Sequence, residues 1–310
     1  MLKVLFSAKP AAWEEYHAPL NAAFAAAGLD VDLSRDQVPA ETDYIVFAPN
    51  GPVKDFAPYT KTKAVLSLWA GVETVVDNAT LTQPLCRLVD TSLTQGMVEW
   101  VTGHALRHHL GIDAHIHGQD GIWRDQITPP LAKARPVTIL GIGALGAACG
   151  QALTAFGFPV TGWSRSAKDV PGLRCLHGDD GLKAALTDAQ IVITLLPQTP
   201  QTGNILNADS LALLAKGAFV INPGRGPLID DDALLRALDS GQIAHATLDV
   251  FRVEPLPADH PFWAHPQVTV TPHIAATTRA ETAAEIIVDN IRRGETGRPF
   301  LNVVDRGRGY

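Results

Sequence analysis

The feature that most constrains this chain is a glycine-rich turn, Gly-Ile-Gly-Ala-Leu-Gly at residues 141–146, directly after the apolar run 137–140. The run is typical of a buried strand and a helix-compatible segment follows, so the order strand, turn, helix is predicted. In that setting Gly141 permits the tight turn, Gly143 lets backbone approach a pyrophosphate, and Gly146 allows close helix–strand packing. The helix N-terminus would offer free N–H groups to the phosphates of a dinucleotide. The predicted contacts are Gly141, Gly143, Ala144, Leu145 and Gly146.

Composition narrows the class of protein. Hydrophobic residues make up 46% of the chain and charged residues 18%, with a net charge of −7, which indicates a compact globular protein and argues against a nucleic-acid or membrane partner. Cys86, Cys149 and Cys175 are far apart and lack metal-ligand spacing, so we expect free thiols in a reducing compartment and no metal site. The apolar N-terminal run is too short for a signal peptide or a membrane span. A cytoplasmic protein is predicted.

The 310 residues are enough for two domains, and strand and helix signals alternate in both halves, as in α/β folds with parallel sheets. Strands are predicted at 3–7, 31–33, 44–48, 64–68, 137–140, 159–163, 190–195, 218–221, 245–249 and 268–271. Helices are predicted at 13–27, 92–110, 230–240 and 279–293. The pattern leaves open which domain holds the last helix.

The polar segment 113–135 is interpreted as a connection or an interface. Trp100, on the long predicted helix, is a core or interface residue.

The residues after the second strand of the glycine-rich unit bear on the choice of cofactor. NAD-binding units place an Asp or Glu about 20 residues beyond the glycines to bind the ribose hydroxyls. This chain has Ser164, Arg165 and Ser166 there, with Lys168 close behind. A guanidinium and hydroxyls bind a 2′-phosphate that a carboxylate would repel, which predicts NADP(H). The alternative is that Arg165 is a solvated surface residue.

Arg225, Glu254 and His273 each follow a predicted strand by a few residues. The carboxyl ends of parallel strands line the ligand crevice of an open sheet, so the three side chains could converge there. Hydride delivery to the ketone of a 2-oxo acid requires a proton donor and a cation at the oxygen. His273 would donate the proton, Glu254 would hold the imidazole, and Arg225 would bind the carboxylate and polarise the carbonyl. Each residue alone also has a structural interpretation; their combination behind the glycine-rich turn favours catalysis.

These residues carry a resemblance to the D-isomer-specific 2-hydroxyacid dehydrogenase family over nearly the whole chain. The motifs are the glycine-rich turn, residues 196–200, Gly224-Arg225-Gly226, residues 248–251 with Glu254-Pro255, and Thr271-Pro272-His273. Residues 162–166, 254–257 and 273–276 resemble its NADPH-dependent reductases of glyoxylate and hydroxypyruvate.

The resemblance implies a fold, further site residues and a partner. It implies a Rossmann-type doubly wound parallel sheet as a cofactor domain (97–276), inserted into a smaller flavodoxin-like α/β substrate domain (1–96 and 277–310), with closure of the domains during catalysis. It implies that Asp249 contacts the nicotinamide carboxamide, and that backbone N–H groups at Trp69, Ala70 and Gly71 hold the substrate carboxylate. A homodimer through the cofactor domain is expected, with part of its contact at 116–123. Further cofactor contacts are expected at Leu196, Pro197, Thr202, Pro223 and Gly224.

Several positions depart from the family pattern. Ala275 and Ala276 stand where many relatives have a glycine pair, Glu73 stands where Asp is usual, and Trp69 stands where a smaller residue is frequent. Trp69 either narrows the pocket toward acids of two or three carbons or packs as core. The alternatives to a reductase of glyoxylate and hydroxypyruvate are a reductase of bulkier 2-oxo acids, a formate dehydrogenase and a nucleotide-sensing module without turnover.

Overall fold

The computed structural model of the protein describes residues 1–126 and 128–307. The strands, numbered β1 to β12 in chain order, are Leu2–Ser7, Val31–Ser34, Tyr44–Phe47, Ala64–Ser67, Leu85–Cys86, Val137–Leu140, Val160–Ser164, Arg174–His177, Ile191–Thr194, Ala218–Asn222, Ile243–Leu248 and Val268–Val270. The α-helices, α1 to α8, are Pro10–Ala26, Thr91–Leu110, Ile112–His117, Ala144–Ala155, Gly178–Leu186, Ala208–Ala212, Asp231–Asp239 and Ala280–Glu295.

The chain divides into two compact units. The first consists of Met1–Leu93 with Thr277–Tyr310, and the second is Thr94–Ala276. The sequence interpretation placed the domain limits after residues 96 and 276; the first limit of the structure lies three residues earlier, inside α2.

The first unit is built on a parallel sheet in the order β2-β1-β3-β4-β5. Strands β3 and β4 are buried along their whole length, so their apolar sequences form the middle of the sheet. Helices α1 and α8 contribute Leu20, Phe24, Ile287 and Ile291 to the same core, which assigns the last helix to this unit. This strand order is that of flavodoxin, and it confirms the predicted flavodoxin-like fold.

The second unit carries a parallel sheet in the order β12-β11-β10-β9-β6-β7-β8. The chain runs outward from β6 to β8, returns to β9 beside β6, and then runs outward in the other direction. The strand order therefore reverses between β6 and β9, which is the switch point where doubly wound sheets bind ligands. The predicted Rossmann-type fold is confirmed.

The sequence interpretation missed two short strands. Strand β5 has two residues, and β8 is largely exposed at the sheet edge, so neither has a distinct apolar pattern. The segment 113–135, interpreted as a connection or an interface, begins within α3. Among the described residues no helix is long and apolar enough to span a membrane.

Candidate active site

The glycine-rich turn joins β6 to α4 at the switch point. Gly141 has a φ of +102°, and a Cβ there would lie 2.6 Å from the carbonyl carbon of Leu195. A Cβ on Gly146 would lie 1.9 Å from the backbone oxygen of Gly141, so the helix crosses the turn at a distance that only glycine allows. Gly143 is exposed with no atom within 4 Å of a Cβ position, and α4 starts after it without a side-chain cap. The turn therefore leaves an open cradle of backbone N–H groups for a phosphate.

The residues predicted to bind the 2′-phosphate lie at the end of β7, next to this turn. The Ser164 hydroxyl donates to the backbone oxygen of Ser166 at 2.8 Å, which shapes the loop after the strand. Lys168 Nζ donates to the backbone oxygen of Ile142 at 3.2 Å, so the loop is tied to the glycine-rich turn. Arg165 is exposed on this loop. The structure thus brings Lys168 to the glycine-rich turn and places Arg165 on the same loop.

Residues after β9 form a closed loop on the other side of the switch point. The Thr202 hydroxyl donates to the backbone oxygen of Pro197 at 2.8 Å and accepts from the backbone N–H of Thr199 at 2.8 Å. Leu196 is buried. The predicted contacts Leu196, Pro197 and Thr202 therefore lie in one internally bonded loop, whose beginning lies against Gly141 of the glycine-rich turn.

Arg225 lies on a tight turn after β10. Pro223 and Gly224 are buried, and Arg225 is half-buried with its Nη1 donating to the backbone oxygen of Gly224 at 2.7 Å. A Cβ on Gly226 would lie 2.0 Å from the backbone carbon of Phe251. The turn that carries the guanidinium therefore lies directly against the segment that leads to Glu254.

Glu254 and His273 form the central pair of the site. Nδ1 of His273 lies 2.7 Å from Oε2 of Glu254. An ionised carboxylate can only accept a hydrogen bond, so with an ionised Glu254 the donor in this contact is Nδ1. The other ring nitrogen, Nε2, is not used in this contact. The second carboxylate oxygen, Oε1, accepts from the backbone N–H of Phe251 at 2.9 Å. The side chains of His273 and Glu254 are 52% and 35% exposed, so a ligand can reach the pair.

His273 has a left-handed backbone, and Asp249 holds the segment around it. The φ of His273 is +54°, a conformation that non-glycine residues rarely adopt and that is frequent at functional sites. The buried Asp249 carboxylate accepts from the Thr271 hydroxyl at 2.6 Å and from the N–H groups of Ile274 and Ala275, each at 2.9 Å. The backbone oxygen of Asp249 accepts from the His273 N–H at 2.8 Å. These four hydrogen bonds fix the backbone segment from which the His273 side chain projects.

The predicted substrate loop lies in the first unit, after β4. Its Trp69 is exposed, which excludes the alternative that this ring packs as core in the unit. The Trp69 N–H donates to the Ser67 hydroxyl at 3.0 Å, and its backbone oxygen accepts from the Leu88 N–H at 3.0 Å. Ala70 and Gly71 are partly exposed. In the second unit, Trp100 is partly buried against the core, with its ring 4.4 Å from that of His104.

Sequence reasoning gave no role to the polar residues that support the turns of the candidate site. Thr194, Asn222 and Thr271 bond the turns that carry Arg225 and His273. A signal for one of them exists: an Asn at the end of a strand with Gly two positions later is typical of a turn in which the side chain accepts from the backbone. Thr271 stands in the motif Thr271-Pro272-His273 but was given no role there, and Thr194 is a single threonine at a strand end, for which sequence offers no distinguishing pattern.

A phosphate cradle on one side of the switch point and an acid-supported imidazole on the other side have the organisation of a dehydrogenase that uses a nicotinamide cofactor. Comparisons with known proteins specify the family. The family model described as "D-isomer specific 2-hydroxyacid dehydrogenase, NAD binding domain" matches residues 102–275. The glyoxylate/hydroxypyruvate reductase A of Serratia proteamaculans is 41% identical, over 95% of this chain and 98% of its own.

Two solved structures are similar throughout. A D-isomer specific 2-hydroxyacid dehydrogenase from Xanthobacter autotrophicus Py2, in complex with NADPH and MES, has a TM-score of 0.92 and 41% identity, covering 100% of this chain and 99% of its own. The NADPH-dependent glyoxylate/hydroxypyruvate reductase of Sinorhizobium meliloti, in complex with NADP and sulfate, has a TM-score of 0.89 and 35% identity, covering 100% of both chains. The chain belongs to the D-isomer-specific 2-hydroxyacid dehydrogenase family and is an oxidoreductase.

Proposed function

We propose that this enzyme reduces small 2-oxo acids with NADPH, converting glyoxylate to glycolate and hydroxypyruvate to D-glycerate. The observation that carries the proposal is the Glu254–His273 contact of 2.7 Å, held at the carboxyl end of the sheet beside the Arg225 turn. The relatives named as glyoxylate/hydroxypyruvate reductases support the choice of substrate.

The chain's own residues provide the proton and the positive charge. Glu254 orients the imidazole through Nδ1, and the protonated ring of His273 donates from Nε2 to the carbonyl oxygen as negative charge develops there. The Arg225 guanidinium binds the substrate carboxylate and stabilises the charge on that oxygen. The bound nicotinamide supplies the hydride to C2 of the acid. In the first unit, the backbone N–H groups of Trp69, Ala70 and Gly71 are proposed to hold the carboxylate, for which the Trp69 N–H would exchange its bond to the Ser67 hydroxyl.

The cradle fits a dinucleotide, and the residues beside it favour the phosphorylated form. The open space at Gly143 and the uncapped start of α4 suit a pyrophosphate. Ser164, Arg165 and Lys168 would bind the 2′-phosphate, and the solved relatives contain NADPH or NADP. Asp249 would meet the nicotinamide carboxamide, with Pro223 and Gly224 beside it. Changing Arg165 to Asp should weaken NADPH binding far more than NADH binding; equal losses for both would refute the assignment.

Initial rates with glyoxylate, hydroxypyruvate and phenylpyruvate, each with NADPH and with NADH, test the proposal. We expect the highest kcat/KM with the two small acids and NADPH. A preference for phenylpyruvate would transfer the proposal to bulkier acids. No oxidation of NADPH with any acid would leave a nucleotide-sensing protein and refute the enzyme mechanism.

We also propose that the enzyme is a homodimer through an exposed apolar surface of the second unit. Ile116, Ile122 and Trp123 are exposed there, and Trp123 is 88% exposed. Apolar side chains clustered at the surface mark contact sites between proteins. Sedimentation of the wild type and of Trp123→Glu tests this: the wild type should sediment as a dimer and the variant should dissociate, whereas a monomeric wild type would refute it.

The free thiols of Cys86, Cys149 and Cys175 support a cytoplasmic location, since disulfides are rare in that reducing compartment. Cell fractionation tests it, and recovery with secreted proteins would contradict it.

A further inference from the structure

The turn that carries Arg225 rests on two buried polar side chains. Thr194 ends β9 and Asn222 ends β10, and their exposed fractions are 0% and 1%. We infer that Asn222 and Thr194 are positioning residues, which set the Arg225 guanidinium in place for the carboxylate of the 2-oxo acid. The inference rests on the proposed function, because it requires that Arg225 binds this substrate.

Asn222 bonds to both ends of the turn. Its Oδ1 accepts from the Gly224 N–H at 3.1 Å, and its Nδ2 donates to the backbone oxygen of Arg225 at 3.0 Å. One planar amide therefore fixes the backbone on either side of the Arg225 amide nitrogen. A rotation of the Asn222 amide would break both bonds together. The backbone of Arg225 would then be free to shift, and its side chain would move with it.

Thr194 fixes the rotation of that amide. Its hydroxyl donates to Oδ1 of Asn222 at 2.6 Å, so Oδ1 accepts from two donors, Thr194 and Gly224. Both groups are buried, and a buried polar group that loses its partner destabilises the arrangement that depends on it. A Cβ on Gly224 would lie 2.6 Å from the backbone oxygen of Thr194, so the turn also rests directly on the end of β9.

The other side of the turn is equally confined. Gly226 lies against the backbone of Phe251, whose N–H binds Glu254, and the backbone oxygen of Asn222 accepts from the Asp249 N–H at 3.0 Å. The frame of Thr194 and Asn222 therefore sets the guanidinium relative to the group that holds His273. Displacements of about 1 Å in such a site can cost about 100-fold in rate.

The test compares two threonines of the same sheet. Thr194→Val removes the hydroxyl that fixes the amide with little change in shape. Thr138→Val is the matched control, because the Thr138 hydroxyl is also buried and donates to a backbone oxygen, that of Ala185, at 2.6 Å. We expect Thr194→Val to lower kcat/KM for glyoxylate by about 10-fold to 100-fold. NADPH affinity, measured by fluorescence titration, should fall far less than kcat/KM in Thr194→Val, and Thr138→Val should keep both its NADPH affinity and its kcat/KM.

A double-mutant cycle with Arg225→Lys separates positioning from a general loss of stability. If Thr194 acts through the guanidinium, Thr194→Val should cost little further kcat/KM in the Arg225→Lys background. Thr194→Ser keeps the hydroxyl and should restore most of the wild-type value. Should Thr194→Val fold poorly, Asn222→Asp gives a second measurement: it keeps the acceptor for Gly224 and Thr194, replaces the donor to the Arg225 backbone oxygen with an acceptor, and adds a negative charge at this buried position.

The outcomes distinguish this inference from the proposed function. If Arg225→Lys leaves kcat/KM unchanged, the assigned role of Arg225 fails, and the inference fails with it. If Arg225→Lys lowers kcat/KM but Thr194→Val and Asn222→Asp behave like Thr138→Val, only the inference is overturned. Additive losses in the cycle would also overturn it, because they would show that Thr194 acts independently of the guanidinium.

Discussion

Acidification should destabilise the second unit through one buried and one partly buried imidazole, which have no part in the proposed reaction. The ring of His108, on α2, lies over that of Phe219 with 4.7 Å between centroids and 14° between planes, and its Nε2 lies 2.8 Å from the Thr247 hydroxyl. The ring of His245 lies 5.1 Å from that of His108. Burial lowers the pKa of His108 to about 3 and that of His245 to about 4.

The neighbouring charges act mostly in the same direction. Arg107 lowers both pKa values further, whereas Asp113 opposes the shift in each ring. His104, itself partly buried with a lowered pKa, adds a smaller repulsion. Arg107 is paired with Asp113 at 2.7 Å. The Asp113 carboxylate therefore interacts with Arg107 as well as with the two rings, and it offsets only part of the lowering of their pKa values.

The sign and size of the effect follow from proton linkage. An unfolded His has a pKa of about 6.5, so below that value the unfolded chain binds protons that the folded chain excludes. The stabilisation is fully present above pH 6.5 and is lost as the pH falls toward the folded pKa values. Between pH 7.5 and 5 each ring should remove about 2 kcal/mol from the free energy of unfolding.

Urea unfolding at pH 7.5 and at pH 5, followed by tryptophan fluorescence, measures this. His108→Gln removes one titrating group while keeping a polar partner for Thr247, and should reduce the pH-dependent loss by about 2 kcal/mol. His177→Gln, at an exposed position of the same unit, is the matched control. The same pH-dependent loss in His108→Gln as in the wild type would refute the reasoning.

Three further predictions concern the site itself. His273→Gln should lower kcat by about 10² to 10⁴-fold and flatten its pH profile, because the residual reaction has lost its acid; an unchanged rate across pH would exclude His273 as the donor. Gly143→Ala should keep the unfolding midpoint but weaken NADPH binding, because its Cβ points into free space, whereas Gly146→Ala should unfold at lower urea because its Cβ would clash with Gly141. Equal stability of the two variants would contradict this. Asp249→Asn should cost about 1–3 kcal/mol of stability and lower kcat, since its new amide hydrogens face donors, and urea titration with steady-state rates should show both. Wild-type values for both would contradict the role given to Asp249.

The sequence predicted the elements whose signals are local. The apolar run 137–140 with the glycines behind it fixed the place of the turn, and strand ends indicated where Arg225, Glu254 and His273 lie. The strand β8 was not predicted, because a partly exposed edge strand needs no apolar pattern.

The supporting contacts of the site could not be predicted in the same way. The hydroxyl of Thr194 meets Asn222 across 28 positions, and the Asp249 carboxylate meets Ala275 across 26. Such pairs depend on which strands become neighbours, and this is known only when the sheet order is known. The sequence motifs that indicated the reactive side chains therefore could not indicate the hydrogen bonds that position them.

The adjacent placement of β10, β11 and β12 has a consequence for how this enzyme can tolerate change. Each reactive residue is positioned by counting from the end of its own strand: three residues from Asn222 to Arg225, six from Leu248 to Glu254 and three from Val270 to His273. The rest of each connection, with α7 between β10 and β11 and, in the described chain, no α-helix between β11 and β12, can lengthen or shorten without altering those counts. A single residue inserted within one of the short counts would move a reactive group by a whole backbone step, even though every helix and strand stayed intact.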